Sequence, residues 1–352
     1  MCESHFSSLQ CIIPPYIAEH LIKSEDQKLR ELGVKILTSA AVFRTTRRIS
    51  RRMATMLTTH SSSDEKQRII FDSKGTSRLQ HQIVRSEGDP DTHDDAVDEA
   101  YAFSGDVYDF FKENFNRISL DDEGMALISN VHVADPDTQE KMDNAFWDGT
   151  QMAFGDGTDT IFERFTKAID VVGHEFTHGV ISYTCNLFYR GQSGALNEHF
   201  ADVFGVLIKQ WKQKESVQNA SWLVGSDIIK PAQTRRALRD MENPGTAFRN
   251  DQHLGDDPQP SHMKNIYTGN KDYNGVHINS GIPNRAFVLV AKAIGGNAWD
   301  TAGHIWYNSM NALSKNSNFT DCAKQTVIQA QSYGEAEKRI VKKAWENVGI
   351  LV

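Results

Sequence analysis

The segment His174-Glu175-Phe176-Thr177-His178 constrains the fold of this chain more than any other feature. Residues four apart lie on the same face of an α-helix, with their Cβ atoms about 5–6 Å apart. Two imidazoles at that spacing can bind one Zn²⁺ if the segment is helical, and Glu175 then faces a water on the same ion. The segment therefore predicts a helix that carries a metal on one face.

A second segment, residues 194–202, offers a third ligand. Glu198 follows His178 by twenty residues, which is enough for the chain to turn back as a second helix. Two histidines and one carboxylate leave the fourth position of a zinc ion open, as catalytic sites do. Asp202 lies one helical turn beyond Glu198, where it can accept a hydrogen bond from a ligand histidine. The alternative, unrelated surface pairs on two helices, requires all five residues to coincide by chance.

Composition narrows the class of protein. The chain has 352 residues, 39% of them apolar, and a formal net charge of −8. A negative balance gives no support to nucleic-acid binding, and no run of apolar residues is long enough to predict a membrane span. The first residues lack the pattern of a secretion signal. We therefore expect secretion by a non-classical route, with the cytoplasm as the alternative.

The sequence pattern divides the chain into three regions. The first holds a short apolar segment and a helical pattern, and it ends in an arginine-rich stretch (44–52) and a polar run (58–63). Such a stretch is typical of a protease-accessible linker, although a solvated helix face or a nucleic-acid patch are alternatives. Strands are predicted at 68–72, 130–133 and 144–147, and helices at 94–115, 161–183, 198–211, 284–293, 302–313, 319–333 and 335–347. The fold class is α+β, with a mixed α/β N-terminal lobe followed by a mainly α-helical C-terminal lobe.

The predicted metal site also indicates a reaction. Bound zinc lets a water lose its proton near neutral pH and attack a polarised carbonyl, with Glu175 as general base. The developing oxyanion needs further donors. His277 follows a tight turn and could be held protonated by Asp272. A surface His–Asp pair is the alternative for these two residues.

Four blocks of sequence, in this order, resemble the thermolysin-like family of zinc metallopeptidases, from about residue 66 to the C-terminus. They are residues 144–147, 170–178, 194–198 and 275–281. The gap between His178 and Glu198 holds nineteen residues, as in that family. The Gly-x-Met-Glu-Asn element of related aminopeptidases is absent. Thr184 stands where metzincins carry a third histidine, which excludes that class.

The resemblance implies a fold and a set of roles. The fold is two-lobed, with the active site in the cleft between the lobes. His174, His178 and Glu198 would bind zinc, and Glu175 would be the base. Tyr189 and His277 would stabilise the oxyanion, with Asp272 orienting His277. Substrate would contact Asn144, Ala145, Arg239 and Asn197, and the pocket for the residue after the cut would be lined by Phe162, Phe165, Val171 and Leu238.

These roles describe an endopeptidase that cuts on the N-terminal side of hydrophobic residues. Two phenylalanines would narrow the pocket, which favours medium aliphatic side chains over large aromatic ones. Peptides and proteins would be its substrates, and we expect a monomer. A catalytically silent, zinc-stabilised binding protein is one competing class, but it would be expected to have lost Glu175 or His277. An aminopeptidase is another, but no anionic pocket for a free amine is evident.

The family's double calcium site is predicted to be missing. Asp170 is retained, but Lys209, Ser221, Leu223 and Ser226 stand at the other matching positions. A lysine cannot take the place of an anionic ligand to a hard dication. Calcium remains possible only through a displaced ligand.

The N-terminal region, with Pro14-Pro15-Tyr16, is similar to the short propeptide of the protealysin subgroup. Residues 1–55 would be an inhibitory propeptide, with its cleavage linker to about residue 65. Residues 66–190 would form the N-terminal catalytic lobe and residues 191–352 the helical C-terminal lobe. Self-cleavage is expected before Ile49, Met53, Met56 or Leu57. Cys2 or Cys11 could block the zinc as a thiolate, or Cys11 could be an ordinary core residue.

Overall fold

The N-terminal half of the chain is built on a six-stranded mixed sheet. The computed structural model describes residues 10–50 and 65–352. For residues 46–50 it describes only the backbone. The strand order is β1-β5-β6-β4-β2-β3, in which β2, β4 and β6 run parallel and the remaining neighbours pair antiparallel. The strands are β1 (Gln10–Cys11), β2 (Arg68–Thr76), β3 (Gln82–Ser86), β4 (Leu127–Val133), β5 (Ala145–Trp147) and β6 (Met152–Phe154).

Helices make up most of the rest of the described chain. They are α1 (Pro15–Leu21), α2 (Gln27–Ser50), α3 (Asp95–Phe115), α4 (Ile169–Ser182), α5 (Gly191–Gln213), α6 (Asp272–Asn279), α7 (Gly281–Ile294), α8 (Thr301–Ala312), α9 (Phe319–Gln331) and α10 (Glu335–Asn347). A two-stranded ribbon, β7 (Leu223–Val224) with β8 (Arg239–Asp240), follows α5. None of the helices in the described residues combines the length and apolarity that a bilayer crossing requires.

The predicted α+β class with a helical C-terminal half is confirmed, and the start of one predicted helix is wrong. The helix predicted over 161–183 begins only at Ile169, because the 3₁₀ helix Phe165–Lys167 and an extended Ala168 precede it. The arginine-rich stretch was interpreted as a linker, with a helix face as the alternative, and up to Ser50 the chain follows the alternative because α2 continues as helix. Residues 51–64, which hold the polar run and three of the four predicted cleavage sites, lie outside the described residues.

The segment before the catalytic region joins the sheet as its edge strand. Gln10 pairs with Trp147 and Cys11 with Phe146, antiparallel to β5. Helix α2 then crosses the same region, where the ring of Phe43 lies 4.7 Å from that of Phe146. The apolar residues of this segment, Ile12, Ile13, Ile17, Leu21, Leu29, Leu32 and Ile36, are buried in the main core.

Two glycines set the distance between α4 and α5. A Cβ atom on Gly205 would lie 2.5 Å from the carbonyl oxygen of Asp170 and 3.0 Å from the nitrogen of His174. A Cβ atom on Gly173 would lie 2.8 Å from Cδ1 of Ile208. At Gly205 any other residue would force the helices apart, because backbone atoms cannot yield, whereas at Gly173 the end of the Ile208 side chain would have to move. The glycines therefore allow side chains of both helices to converge on one point.

Candidate active site

Helices α4 and α5 bring His174, His178 and Glu198 together. The Nε2 atoms of the two histidines lie 3.1 Å apart. The carboxylate oxygens of Glu198 lie 3.5 Å from Nε2 of His174 and 3.6 Å from Nε2 of His178. All three side chains are completely buried, and in the described part of the chain they form the one group of potential ligands that converges in this way.

The donor set fits a zinc ion. Oε2 of Glu198 is buried and has no hydrogen-bond partner, although burial of an unpaired carboxylate oxygen is costly. Burial and the neighbouring His174 hold the pKa of His178 well below its usual value, so its imidazole is in the neutral form that binds metals. Two neutral imidazoles and one carboxylate are typical of catalytic zinc sites.

The outer nitrogens of both histidines face fixed acceptors. An oxygen of Asp202 lies 2.9 Å from Nδ1 of His174, and Oδ1 of Asn197 lies 2.7 Å from Nδ1 of His178. Each acceptor favours the tautomer in which Nδ1 carries the hydrogen and Nε2 is free to bind metal.

Asp202 is also paired with Arg239. The guanidinium donates to both carboxylate oxygens, from Nε at 2.9 and 3.1 Å and from Nη2 at 2.8 Å. Asn284 donates a further bond of 2.9 Å. Although burial alone would raise the pKa of Asp202, Arg239 and His174 hold it far below its usual range, so the carboxylate keeps its charge.

Glu175 lies beside the metal-ligand group and contacts strand β5. Its Oε2 accepts a 2.9 Å hydrogen bond from the backbone nitrogen of Trp147, and Oε1 has no hydrogen-bond partner. Burial, and then the negative charge of Glu198, raise the pKa of Glu175 well above its ordinary value. A carboxylate with a raised pKa can both take up and return a proton near neutral pH.

His277 and Tyr189 form a second pair of donors. Nδ1 of His277 lies 2.6 Å from Oδ1 of Asp272, and the hydroxyl of Tyr189 lies 3.2 Å from Nε2 of His277. Tyr189 also donates to Glu198. Burial lowers the pKa of His277, but the charges of Glu198 and Asp272 outweigh it and raise the pKa to about 9.

A left-handed turn places Asp272 against His277. The four residues Asp272, Tyr273, Asn274 and Gly275 have φ values of 51°, 50°, 66° and 83°. Three of them are not glycine, and this conformation costs such residues about 1–2 kcal/mol each. The reversal lets the carboxylate of Asp272 accept the backbone N–H groups of His277 and Ile278 at 2.8 and 3.0 Å.

The predicted substrate contacts lie along the segment at residues 10–13. The nitrogen of Ile12 donates to the carbonyl oxygen of Ala145 at 3.2 Å, and its carbonyl accepts from Nη1 of Arg239 at 3.2 Å. The nitrogen of Ile13 donates to Oδ1 of Asn144 at 3.4 Å. The side chain of Ile12 is fully buried in one apolar cluster with the predicted pocket residues Phe162, Phe165, Val171 and Leu238.

Two predictions fit the geometry less well. The amide of Asn197 is engaged by His178 and by the carbonyl oxygen of Leu187, 3.3 Å away, so it orients a histidine and does not face the chain in the cleft. Cys11 does not belong to the metal-ligand group. Its thiol is buried, which raises its pKa to about 12. Cys2 lies outside the described residues.

Sequence reasoning missed the supports of the site. His199 accepts from Nε1 of Trp306 at 2.8 Å and bonds to Asn284 at 2.7 Å, which links α5 to α7 and α8. Gly173 and Gly205 were not singled out either. Gly173 directly precedes His174 and Gly205 follows Glu198 by seven residues, and glycine within a helix beside such ligands is a signal of close helix packing.

Known proteins with the same organisation resemble the chain along nearly its whole length. It is 40% identical to an extracellular metalloprotease of Pectobacterium carotovorum, covering 97% of this chain and 96% of that protein. It is 41% identical to protease PrtS of a Photorhabdus strain, covering 97% and 92%. Among solved structures, the precursor of protealysin, a metalloproteinase from Serratia proteamaculans, superposes with a TM-score of 0.86 at 40% identity, covering 97% of this chain and 99% of that one.

The predicted localisation is wrong. The sequence led to a non-classical route, with the cytoplasm as the alternative, because the first residues lack a secretion signal. The Pectobacterium relative is named as an extracellular metalloprotease, and such names point to secretion.

Two family descriptions divide the chain between them. The thermolysin metallopeptidase catalytic domain matches residues 26–182, and the thermolysin metallopeptidase alpha-helical domain matches residues 185–350. The boundary falls between α4 and α5, the two helices that carry the candidate zinc ligands. This chain belongs to the thermolysin family of metallopeptidases.

Proposed function

We propose that the chain is the precursor of a zinc endopeptidase that hydrolyses peptide bonds on the N-terminal side of hydrophobic residues, with Glu175 as general base. The convergence of His174, His178 and Glu198 beside this carboxylate carries the proposal. The chain at residues 10–13 supports it as well, because its backbone bonds to Ala145, Asn144 and Arg239 as an extended substrate would, and Ile12 is fully buried in the main apolar core.

Substrate would bind as an added strand on β5. The carbonyl oxygen of Ala145 and Oδ1 of Asn144 accept its N–H groups, and Arg239 donates to the carbonyl that follows the cut bond. His174, His178 and Glu198 would hold a zinc ion, which would supply a Lewis acid for the substrate carbonyl and a water activated at neutral pH. Glu175 takes up the proton from that water and returns it to the leaving amine. His277 and Tyr189 donate hydrogen bonds to the developing oxyanion.

The segment before about residue 55 would be an inhibitory propeptide. Its edge strand covers β5, and Arg44 of α2 donates to the hydroxyl of Tyr273. Ion pairs join Glu19 to Lys271 and Lys35 to Glu140. The catalytic lobes would span residues 66–190 and 191–352. Removal of the propeptide, by cleavage in the linker to about residue 65, would open the cleft.

We expect the enzyme to fold without the family's double calcium site. Nζ of Lys209 lies 2.7 Å from Oδ2 of Asp227 and 3.8 Å from Oδ1 of Asp170. Burial is the main effect on Asp170 and raises its pKa, whereas the positive charge of Lys209 lowers it. The ammonium group of Lys209 thus compensates the negative charge of Asp170, which a calcium ion would otherwise neutralise. The other oxygen of Asp170 accepts from the nitrogen of Gly225 at 2.8 Å.

A comparison of the wild-type chain with Glu175→Gln tests the reaction. The measurements are zinc content and cleavage of a quenched fluorescent peptide with leucine after the cut, beside the same peptide with aspartate there. We expect both proteins to bind one zinc. We expect the variant to lose about 10²–10⁴ in kcat, which is the usual contribution of a general base.

Glu335→Gln is the matched control, because it removes an exposed carboxylate at the start of α10. It should retain the wild-type rate. Full activity of Glu175→Gln would exclude this residue as the base. Equal cleavage of the leucine and aspartate peptides would exclude the apolar pocket as the source of specificity.

A further inference from the structure

Residues 10–13 lie along the candidate site, with the Cys11–Ile12 peptide bond between His277 and Glu175. We propose that Cys11–Ile12 is an internal substrate bond, bound in productive register and hydrolysed by the precursor's own active site. The proposal rests on the proposed function and names a first cleavage site upstream of those predicted from the sequence.

The carbonyl side of this bond faces the oxyanion donors. The carbonyl oxygen of Cys11 lies 3.1 Å from Nε2 of His277. Because Nδ1 of His277 faces Asp272 at 2.6 Å, Nε2 is the ring nitrogen that meets this oxygen. Tyr189 lies on the same side, with its hydroxyl 3.2 Å from the same nitrogen. These are the donors that hydrolysis of this bond would need for its oxyanion.

The nitrogen side of the bond faces the base. The backbone N–H of Ile12 lies near the carboxylate of Glu175, where it lowers the pKa of that group against the larger effects of burial and Glu198, which raise it. The same N–H points towards the carbonyl oxygen of Ala145, 3.2 Å away. Glu175 is therefore placed to protonate the nitrogen that would leave.

The flanking contacts fix the register. Arg239 binds the carbonyl after the bond, Asn144 binds the next N–H, and the side chain of Ile12 is fully buried in the main apolar core. A slip by one residue would reverse the faces of the strand and expose Ile12. Cys11 and Ile12 thus stand on the two sides of the bond that the site is built to cut.

Hydrolysis adds one water across the amide. The oxygen forms a new bond to the carbonyl carbon of Cys11, the C–N bond breaks, and Glu175 delivers a proton to the nitrogen of Ile12. The products are a carboxylate at Cys11 and an amine at Ile12. Helices α1 and α2 stay packed on the enzyme, so this cut shortens the propeptide without releasing the rest.

A disulfide tests the register without metal or activity. Cys11 lies directly opposite Phe146, and directly opposed residues of an antiparallel pair have Cα atoms about 4.5–5.5 Å apart, within the range that a disulfide spans. In the full-length, zinc-free Glu175→Gln background, Phe146→Cys should cross-link to Cys11 under a mild oxidant, as mapped by mass spectrometry. Cys11→Ser combined with Phe146→Cys is the control. Failure to cross-link would overturn the register.

Intact mass of the zinc-loaded full-length chain tests the hydrolysis. We expect loss of residues 1–11 and a new N-terminus at Ile12. Ile12→Ala should slow this cut at least about tenfold, as expected when apolar volume in a specificity pocket is lost. Ile17→Ala removes the same atoms from α1 and should leave the rate unchanged.

An intact Cys11–Ile12 bond in a preparation that hydrolyses the external leucine peptide would overturn the proposal and leave the proposed function standing. Equal rates of the cut in Ile12→Ala and Ile17→Ala would overturn it too. A chain that hydrolyses neither bond, even after its propeptide is trimmed by another protease, would refute the proposed function. The cross-link would still decide the register in that case.

Discussion

Replacing Asp202 by asparagine removes one buried charge and almost no volume. The carboxylate receives hydrogen bonds from Arg239 and Asn284 and lies 2.9 Å from Nδ1 of His174. An amide in its place has one accepting oxygen and one donating nitrogen. In one orientation the nitrogen faces Arg239 and His174, and in the other it faces Arg239 and Asn284. Neither orientation satisfies every donor.

The expected cost follows from these contacts. Arg239 is fully buried and would lose its only charged partner among the described residues that it contacts. Breaking a buried pair by removing one partner costs about 3–5 kcal/mol, since the other charge stays uncompensated. His174 would lose the acceptor that fixes its tautomer. Loss of such a partner weakens metal binding by about 10–100-fold.

The loss of stability is measured by urea unfolding of the full-length Glu175→Ala chain, with and without Asp202→Asn. The loss of zinc affinity is measured in the same two proteins by competition with a chelator. The Glu175→Ala background prevents self-cleavage. Asp240→Asn is the matched control, because Asp240 is equally enclosed but its partner Arg236 is half exposed. We expect the control to lose less than about 1 kcal/mol. An Asp202→Asn variant as stable as the control, with unchanged zinc affinity, would refute the reasoning.

Three further predictions concern pH, calcium and specificity. Hydrogen bonding to Asp156 and the charges of Asp156 and Asp94, against partial burial, raise the pKa of His132 to about 9. The charged imidazole stabilises the folded protein fully below about pH 6.5, and this stabilisation is lost as the pH rises through 9. The free energy of unfolding should therefore fall between pH 6 and pH 10 by about 1–2 kcal/mol more in the wild type than in His132→Asn. Asparagine is chosen because it tolerates the local φ of 53°. Lys209→Gln should lower the thermal midpoint and make it respond to added calcium, whereas the wild type should not respond; an equal response of both would contradict the role of the ammonium. Phe162→Leu should raise kcat/KM for peptides with phenylalanine after the cut about tenfold relative to leucine, and an unchanged ratio would place the limit elsewhere.

The metal ligands could be predicted from the sequence because helical geometry is local. Spacing of four residues fixes the relative positions of His174 and His178 once the segment is helical. The same argument links Glu198 to Asp202. The hydrophobic period also predicted the boundaries of some amphipathic helices. Helix α10, for example, begins and ends at the predicted residues.

Other features depended on contacts that no local pattern encodes. The helix predicted over 161–183 starts late because the chain first makes a 3₁₀ turn whose Phe165 packs into the core. Periodicity alone cannot separate that turn from the helix that follows. The arginine-rich stretch is polar enough to suggest a linker, yet α2 continues as helix to Ser50, and Arg44 at the start of the stretch contacts Tyr273.

The sequence by itself determined the ligand chemistry, the α+β class and the order of the two lobes, because these follow from residue identity, spacing and hydrophobic period. Tertiary structure decided which groups meet: Arg239 with Asp202 across 37 residues, and Cys11 with His277 across 266. Such pairs depend on how helices and strands pack, which the glycines at 173 and 205 and the added edge strand control. Hydrogen bonds and charges act over a few ångströms in space, whereas a sequence records only distance along the chain.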